Sequence, residues 1–239
     1  MIPLKAVILA GGFGTRLRPI SYLYPKPMVP IRGKPFLEYL LDSLKVQGVS
    51  EFILCLHYMA DRFIEYFGDG SKFGYGKIIY SIEEKPMGTA GAIKKVESYL
   101  DSTFLVLNGD TYLDVDIRRM LSFHQNNENL GTIALVRMKN VSRYGLVDVS
   151  PNWRVIGFFE KVQSSEGYIN AGVYIFEKRI LDYILADRRV SLEKEVLPSI
   201  LGRERIFGFP VDGYFIDIGV PEDYYRLQKD LAKVFRYDN

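Results

Sequence analysis

The sequence predicts an α/β fold, a mixed and mainly parallel sheet flanked by helices. Three observations carry that expectation: short apolar runs alternate with helical periodicity through the first half, those runs are continuously apolar as in strands buried on both faces, and the second half turns to successive strands separated by turn signals. The first strand is Lys5-Ala6-Val7-Ile8-Leu9, which ends at glycines. Pro35 then opens a helix over 35–47, with Phe36, Leu37, Leu40, Leu41 and Leu44 on one face. A strand at 51–56, a helix near 59–67, a strand at 77–82, a helix near 89–100 and the apolar run 103–107 complete the alternation. Beyond it, strands near 131–138, 144–149, 153–160 and 168–176 read as an inserted antiparallel or mixed lobe. Helices return at 178–186 and 191–200, and a last one begins at Pro221, with Glu222 and Asp223 at the positive end of its dipole. The expected organisation is a single domain over residues 1–239, with one lobe over about 1–113 and another over about 114–239.

A chain of 239 residues can bury a sizeable core, and its 48% hydrophobic and 25% charged content is that of an ordinary globular protein. There is no 18-residue apolar run, and the N-terminus enters a strand rather than a signal peptide, so the expectation is a cytoplasmic protein that does not use a membrane. A net charge of +2 without Lys/Arg blocks argues against nucleic acid as a partner. The single cysteine, Cys55, excludes an intrachain disulfide and sits among apolar residues, and with only His57 and His124 besides it no zinc set is expected. The 17 tyrosines and 15 phenylalanines suit cores and subunit contacts, which leaves a homo-oligomer open.

The chemistry concentrates after the first strand, in Leu9-Ala10-Gly11-Gly12-Phe13-Gly14-Thr15-Arg16-Leu17 and Pro25-Lys26-Pro27-Met28. Without Cβ atoms, Gly11, Gly12 and Gly14 let backbone N–H groups approach an anion closely. Arg16 adds a fixed fork of donors and Lys26 a mobile point charge, two complementary ways to hold phosphate oxygens. The combination makes a socket for a polyphosphate, although a tight strand-to-helix turn with solvated cations carries the same letters. Two standard nucleotide loops do not fit. A P-loop needs lysine directly after its last glycine, whereas Thr15-Arg16 follows Gly14; a dinucleotide fingerprint needs a third glycine, which does not follow.

Asp110 lies just past an apolar strand, in Leu107-Asn108-Gly109-Asp110-Thr111, where a carboxylate either holds a hard cation against phosphate or makes a turn. Asp217 interrupts the buried pattern Tyr214-Phe215-Ile216-Asp217-Ile218-Gly219, so it has a strong partner or binds something. Magnesium fits both, since one or two carboxylates suffice when phosphates and water complete the octahedron. Glu83, Gly88 and Thr89 fall in a strand–loop–helix stretch whose small residues would let a flat base lie against the backbone; a solvated loop with a helix cap is the alternative. Glu160-Lys161 ends one strand and Asn170-Ala171-Gly172 lies on another, a phosphosugar clamp or else surface charges and a bulge. Asp114-Val115-Asp116 has the spacing of a DxD metal motif but reads better as a turn and a helix N-cap.

The ordered set LAGGFGTRLRP, PKPMVPI, GTAGAI, LNGDT, YGLV, FEKV, INAGVYIF and FIDIGVPEDY covers almost the whole chain and resembles the sugar-1-phosphate nucleotidyltransferases. The resemblance implies the Rossmann-like nucleotide-diphospho-sugar transferase fold, with a nucleotide-binding lobe first and a sugar-phosphate-binding lobe second. It implies two partners, a nucleoside triphosphate and a sugar 1-phosphate, condensed with Mg2+ into a nucleotide sugar and pyrophosphate. Arg16, Lys26 and Asp110 would then be catalytic, and Asp110 with Asp217 would hold the metal. Leu9, Ala10, Gly11, Gly12, Gly14, Thr15, Glu83, Gly88 and Thr89 would bind the nucleotide; Tyr144, Gly145, Glu160, Lys161, Asn170 and Gly172 would bind the sugar and its phosphate. Relatives acting on pyrimidine nucleotides carry a glutamine at the position aligned with Glu83. A carboxylate only accepts, and guanine offers adjacent N1–H and N2–H donors, so GTP is expected over UTP or dTTP. The stretches YSIEEKPMGTAGAI and FIDIGVPEDY are most similar to guanylyltransferases of D-glycero-α-D-manno-heptose 1-phosphate, then to those of mannose 1-phosphate. Two departures stand out: Val220 replaces a threonine common in hexose enzymes, and no C-terminal β-helix is expected. The alternatives are a glucose-1-phosphate uridylyl- or thymidylyltransferase and a non-catalytic nucleotide-sugar-binding module.

Overall fold

The apolar runs of the first half become strands because each must bury both faces, and the computed structural model, which describes residues 4–139, 141, 144–160 and 166–234, places them side by side. Strand β1 (Lys5–Leu9) leads through short 3-10 turns and the small hairpin of β2 (Pro30–Ile31) and β3 (Lys34–Pro35) into α1 (Phe36–Val46). Then come β4 (Glu51–Leu56), α2 (Ala60–Phe67), β5 (Lys77–Ile82), α3 (Gly88–Lys95), β6 (Thr103–Asn108), β7 (Thr111–Leu113) and α4 (Ile117–Asn126). The second half supplies β8 (Gly131–Lys139), β9 (Gly145–Val149), β10 (Val155–Glu160), β11 (Glu166–Glu177), α5 (Leu197–Ile200), β12 (Ile206–Pro210), β13 (Phe215–Asp217) and α6 (Pro221–Val234).

Four strands, in the order β5-β4-β1-β6, run parallel. β11 then pairs antiparallel with β6 from Val173 onward and with β8 along its length, and β12 lies parallel to β8. The β9–β10 hairpin joins the same sheet where Ile169 meets Leu146. This is the mixed, mostly parallel sheet that the sequence predicts, with β8 and β11 continuous with the strands of the first half. Alternate residues of each central strand enter separate cores. Ala6, Ile8, Phe52, Leu54, Leu105 and Leu107 pack with Leu37, Leu40, Leu41 and Leu44 of α1. Val7, Ile53, Cys55, Phe104 and Val106 pack with Ala90, Ala92 and Ile93 of α3. Each buried aliphatic or aromatic side chain contributes roughly 1.5–3 kcal/mol.

Several boundaries differ from the expectation. The helix expected over 89–100 stops at Lys95 and tightens into a 3-10 turn, Glu97–Tyr99, which delivers both Val96 and Leu100 to the core. Residues Lys178–Tyr183 form a 3-10 helix rather than an α-helix. Over 191–200 the Ser191 carbonyl accepts N–H groups from both Glu195 (3.1 Å) and Val196 (3.2 Å), giving a π-helical turn, Leu192–Val196, ahead of α5 and its Pro198. Strand β12 was not expected, because Gly208 and Pro210 fall within its five residues. Asp116 is an N-cap, its Oδ1 accepting the Arg119 N–H at 3.0 Å. Among the described residues no helix is long and apolar enough to cross a membrane.

Candidate active site

The two aspartates singled out in the sequence meet because two very short strands pair. β13 runs antiparallel to β7 with Asp217 opposite Thr111, and the Ile218 N–H donates to the Asp110 carbonyl at 3.1 Å. Both carboxylates therefore converge beyond the carboxyl ends of β1 and β6. Lys26 enters from the Lys26–Met28 turn, and its Nζ donates to Asp110 Oδ2 at 2.6 Å and to Asp217 Oδ1 at 3.0 Å, with only 8% of its side chain exposed. Burial opposes the Lys26 charge, but attraction from Asp110 and Asp217 outweighs it and holds the ammonium pKa above 10.5. At Asp110, burial is likewise overcome by Lys26 and by hydrogen bonds, so its pKa lies below the usual carboxylate value. At Asp217, burial and the neighbouring Asp110 charge prevail over Lys26 and Arg16, and its pKa is raised. Gly219 leaves room for this carboxylate, since a Cβ there would lie 3.0 Å from Asp217 Oδ1.

Around this triad lies a cleft of about 220 Å³ lined by Leu9, Ala10, Gly12, Gly14, Thr15, Arg16, Lys26, Asp110 and Gly219. Gly14 has a left-handed backbone (φ 63°), and a Cβ there would stand 2.9 Å from the Lys26 Cβ, so the turn and the lysine stem need glycine at this point. Gly12 is different: nothing lies within 4 Å of where its Cβ would be. A second cleft of about 410 Å³ continues from the first past Leu9, Gly12 and Asp110, and is walled by Gly11, Phe13, Cys55, Glu83, Gly88, Thr89, Asn108 and Arg189. Together they form a groove with a polar, cationic end and a flatter, more apolar end.

Glu83 is buried in the flatter end, with Oε2 accepting the Met87 N–H at 2.8 Å and its carbonyl accepting the His57 Nδ1–H at 2.7 Å. Burial raises its pKa against the lowering pull of the Met87 N–H, His57 and Lys95. Gly88 is required by packing: its φ is +72°, and a Cβ would stand 2.5 Å from the Val190 carbonyl, which accepts from the Ala90 N–H. The small residues at the start of α3 thus accommodate the 188–190 segment. The Thr89 hydroxyl is also committed, accepting the Leu192 N–H (2.7 Å) and donating to Glu193 (2.8 Å). Cys55 lies on the floor of this cleft, and burial drives its thiol pKa far up, in keeping with an inert core thiol.

Sequence reasoning missed Phe13 and Arg189. Phe13 is 48% exposed at the cleft wall, its ring edge-on to His57 at 5.4 Å; an exposed aromatic inside a glycine turn was the available signal. Arg189 carries no local signal, because it reaches the cleft through the backbone bonds that tie Val190 to the start of α3, from the Val190 N–H to the Met87 carbonyl and from the Ala90 N–H to the Val190 carbonyl.

The residues expected around the sugar are less concentrated. Asn170 accepts the Gly172 N–H at 3.0 Å and donates to the Tyr174 hydroxyl at 2.8 Å, and Gly172 backs directly onto the Asn108 side chain. Tyr144 packs edge-on against Phe215 at 5.7 Å, and Gly145 stands opposite Glu160 in the β9–β10 hairpin. Tyr144, Gly145, Asn170 and Gly172 lie outside the linings of both clefts. Lys161 falls outside the described residues.

No cluster of three or more metal-binding side chains occurs among the described residues. The paired Asp110 and Asp217 carboxylates, already holding a cation in Lys26, suit a magnesium ion that takes its remaining ligands from phosphates and water. A family model described as "Nucleotidyl transferase" matches residues 5–234. The chain is 43% identical over 227 residues to the D-glycero-alpha-D-manno-heptose 1-phosphate guanylyltransferase of Campylobacter jejuni, covering 94% of this chain and 98% of that one. It is 40% identical over 232 residues to the mannose-1-phosphate guanylyltransferase of Mycobacterium tuberculosis, covering 95% of this chain and 64% of the relative. Among solved structures, HddC from Yersinia pseudotuberculosis complexed with GMP-PN superposes with a TM-score of 0.84 at 39% identity, over 95% of this chain and 99% of that one.

Proposed function

Because this chain belongs to the nucleotidyl transferase family of enzymes, we propose that it transfers a guanylyl group from GTP to D-glycero-α-D-manno-heptose 1-phosphate or mannose 1-phosphate. The products are a GDP-sugar and pyrophosphate. The observation that carries the choice of base is Glu83, a buried carboxylate in the wall of the flatter cleft, fixed through Oε2 by the Met87 N–H. As a carboxylate, its other oxygen only accepts, which suits the paired N1–H and N2–H donors of guanine and mismatches the imide edge of a pyrimidine. Two relatives at about 40% identity, over nearly all of this chain, bear guanylyltransferase names, which supports the same choice.

In this mechanism a sugar-phosphate oxygen attacks the α-phosphorus of the triphosphate, forming a new P–O bond as the bond from the α-phosphorus to the bridging oxygen breaks and pyrophosphate leaves. No general base is needed, since a phosphate monoester with a second pKa of about 6 is already largely dianionic at neutral pH. The protein's contribution is alignment and charge neutralisation. Backbone N–H groups of the Gly11–Thr15 turn and Arg16 take the triphosphate, and Lys26 stabilises charge at the α-phosphate. Asp110 and Asp217 are the residues that would hold magnesium, which when bound supplies charge neutralisation at the same phosphate. Phe13 offers its exposed ring to the base, and the β9–β11 side faces the sugar phosphate.

Pyrophosphate release tests the proposal, crossing GTP, UTP, dTTP, CTP and ATP with mannose, glucose and D-glycero-D-manno-heptose 1-phosphates in the presence of magnesium. Turnover confined to GTP and the manno-configured sugars is expected. Preference for UTP or dTTP with glucose 1-phosphate would overturn the assignment of Glu83, and binding without turnover in every combination would favour a non-catalytic module.

A further inference from the structure

The Lys26 ammonium lies between the two carboxylates that would hold a divalent cation. Its Nζ holds Asp110 Oδ2 at 2.6 Å and Asp217 Oδ1 at 3.0 Å, and the lysine is 6% exposed overall. A magnesium ion binds carboxylate oxygens at about 2.0–2.1 Å and demands a near-octahedral shell. A metal taking those same two oxygens would be drawn up against the ammonium group that donates to them, so Lys26 and a metal compete for the pair. Lys26 thus opposes a metal at the pair for as long as it stays on Asp110 Oδ2 and Asp217 Oδ1. The route is constrained: the lysine stem passes against Gly14, and the open space next to Nζ is the cleft lined by Gly12, Gly14, Thr15 and Arg16. That space is bordered by the glycine turn and by Arg16, whose guanidinium attracts an anion and repels an ammonium group. Only an anion lodged there makes the cleft a favourable destination for Lys26.

From this geometry we propose that Lys26 is the resident counter-cation of the Asp110–Asp217 pair and is exchanged for a divalent metal only when a polyphosphate enters the adjacent cleft and accepts its ammonium group. Metal and nucleotide binding are then coupled, and the coupling is reciprocal: polyphosphate raises metal affinity by the factor by which metal raises polyphosphate affinity. Without nucleotide, the two aspartates share a protein counter-cation that competes with metal. On transfer, the same lysine reaches the phosphate it must neutralise. The inference rests on the proposal above only in taking Asp110 and Asp217 as the metal ligands, and it holds for any base and any sugar.

The test is Mn2+ binding to nucleotide-free protein, read from the free-ion electron paramagnetic resonance signal. Wild type and Lys26→Arg, which keep a cation between the carboxylates, should bind Mn2+ weakly. Lys26→Met should bind it at least about tenfold more tightly, within the usual range of coupling between sites. Inorganic tripolyphosphate should close that gap by raising the Mn2+ affinity of the wild type more than that of Lys26→Met. As a guard against misfolding, the melting temperature of Lys26→Met should rise with Mn2+ by more than that of the wild type does. Adding Asp110→Asn to Lys26→Met should abolish the gain. If that double variant still binds Mn2+ tightly, the metal ligands have been misassigned; if Asp110 proves necessary but wild type binds Mn2+ as tightly as Lys26→Met, the exchange itself is refuted.

Discussion

Two glycines in one turn give opposite expectations, which makes the phosphate cradle testable apart from the stability of the fold. At Gly14, alanine would have to adopt a left-handed backbone (φ 63°), with its Cβ 2.9 Å from the Lys26 Cβ. The backbone alone costs about 1–2 kcal/mol. Displacement of the Lys26 stem loosens the ammonium from its two carboxylates and brings the expected loss to roughly 2–3 kcal/mol. At Gly12, no atom lies within 4 Å of the new Cβ and the backbone is not left-handed, so the protein has nothing to resist a methyl group. Gly12→Ala should leave stability unchanged or raise it by about 0.4–1 kcal/mol through the unfolded chain. Its methyl nevertheless projects into the space where a phosphate would meet the turn, and a displacement of about 1 Å at a reacting group costs on the order of 10²-fold. Urea unfolding followed by fluorescence gives the first quantity and pyrophosphate release gives kcat/KM. A Gly12→Ala enzyme of wild-type stability and wild-type kcat/KM would refute the cradle outright.

Other predictions follow from the same groove. Asp110→Asn and Asp217→Asn should each lower kcat/KM by about 10² or more, close to 2.7 kcal/mol, while circular dichroism and melting temperature show an intact fold; near-normal turnover in either variant removes that residue from the metal site. Glu83→Gln should erode selectivity for GTP over UTP. Because burial raises the Glu83 pKa above 4.5, the carboxylate acceptor is lost at a higher pH than for an ordinary glutamate, so the GTP-to-UTP ratio of kcat/KM should fall as pH decreases in wild type. In Glu83→Gln that ratio should be flat with pH, and taking a ratio removes the titration of the sugar phosphate; parallel profiles in both enzymes would exclude Glu83 from base recognition. Arg189→Ala should raise the nucleotide KM several-fold with kcat and the sugar-phosphate KM unchanged, as when a uniform binding contact is removed. An unchanged nucleotide KM would mean that the guanidinium only borders the cleft.

What the sequence discloses and what it withholds divides along a physical line. The runs at β1, β4, β5 and β6 are legible because strands buried on both faces must be apolar throughout, a demand met residue by residue. β12 is not legible, since Gly208 is there to let Leu135 of the neighbouring strand fill the space a side chain would occupy, and that need arises only after the strands pair. The π-helical turn at Leu192–Val196 is hidden for a similar reason: its apolar spacing matches an α-helix, and the extra residue per turn is visible only in the shared Ser191 carbonyl. The site divides in the same way. Asp217 announces itself as an acid between isoleucines, and Lys26 and Arg16 as cations beside a glycine turn, because each offends or exploits its local surroundings. Their mutual arrangement depends on β7 and β13, three-residue strands too short to leave a pattern. The most consequential fact about the site is of that second kind. Two acids taken separately invite a metal each or one between them, whereas two acids 2.6 and 3.0 Å from one ammonium already share a counter-cation. The residue types define which chemistry is available, and the pairing shows which side chain the two acids already hold.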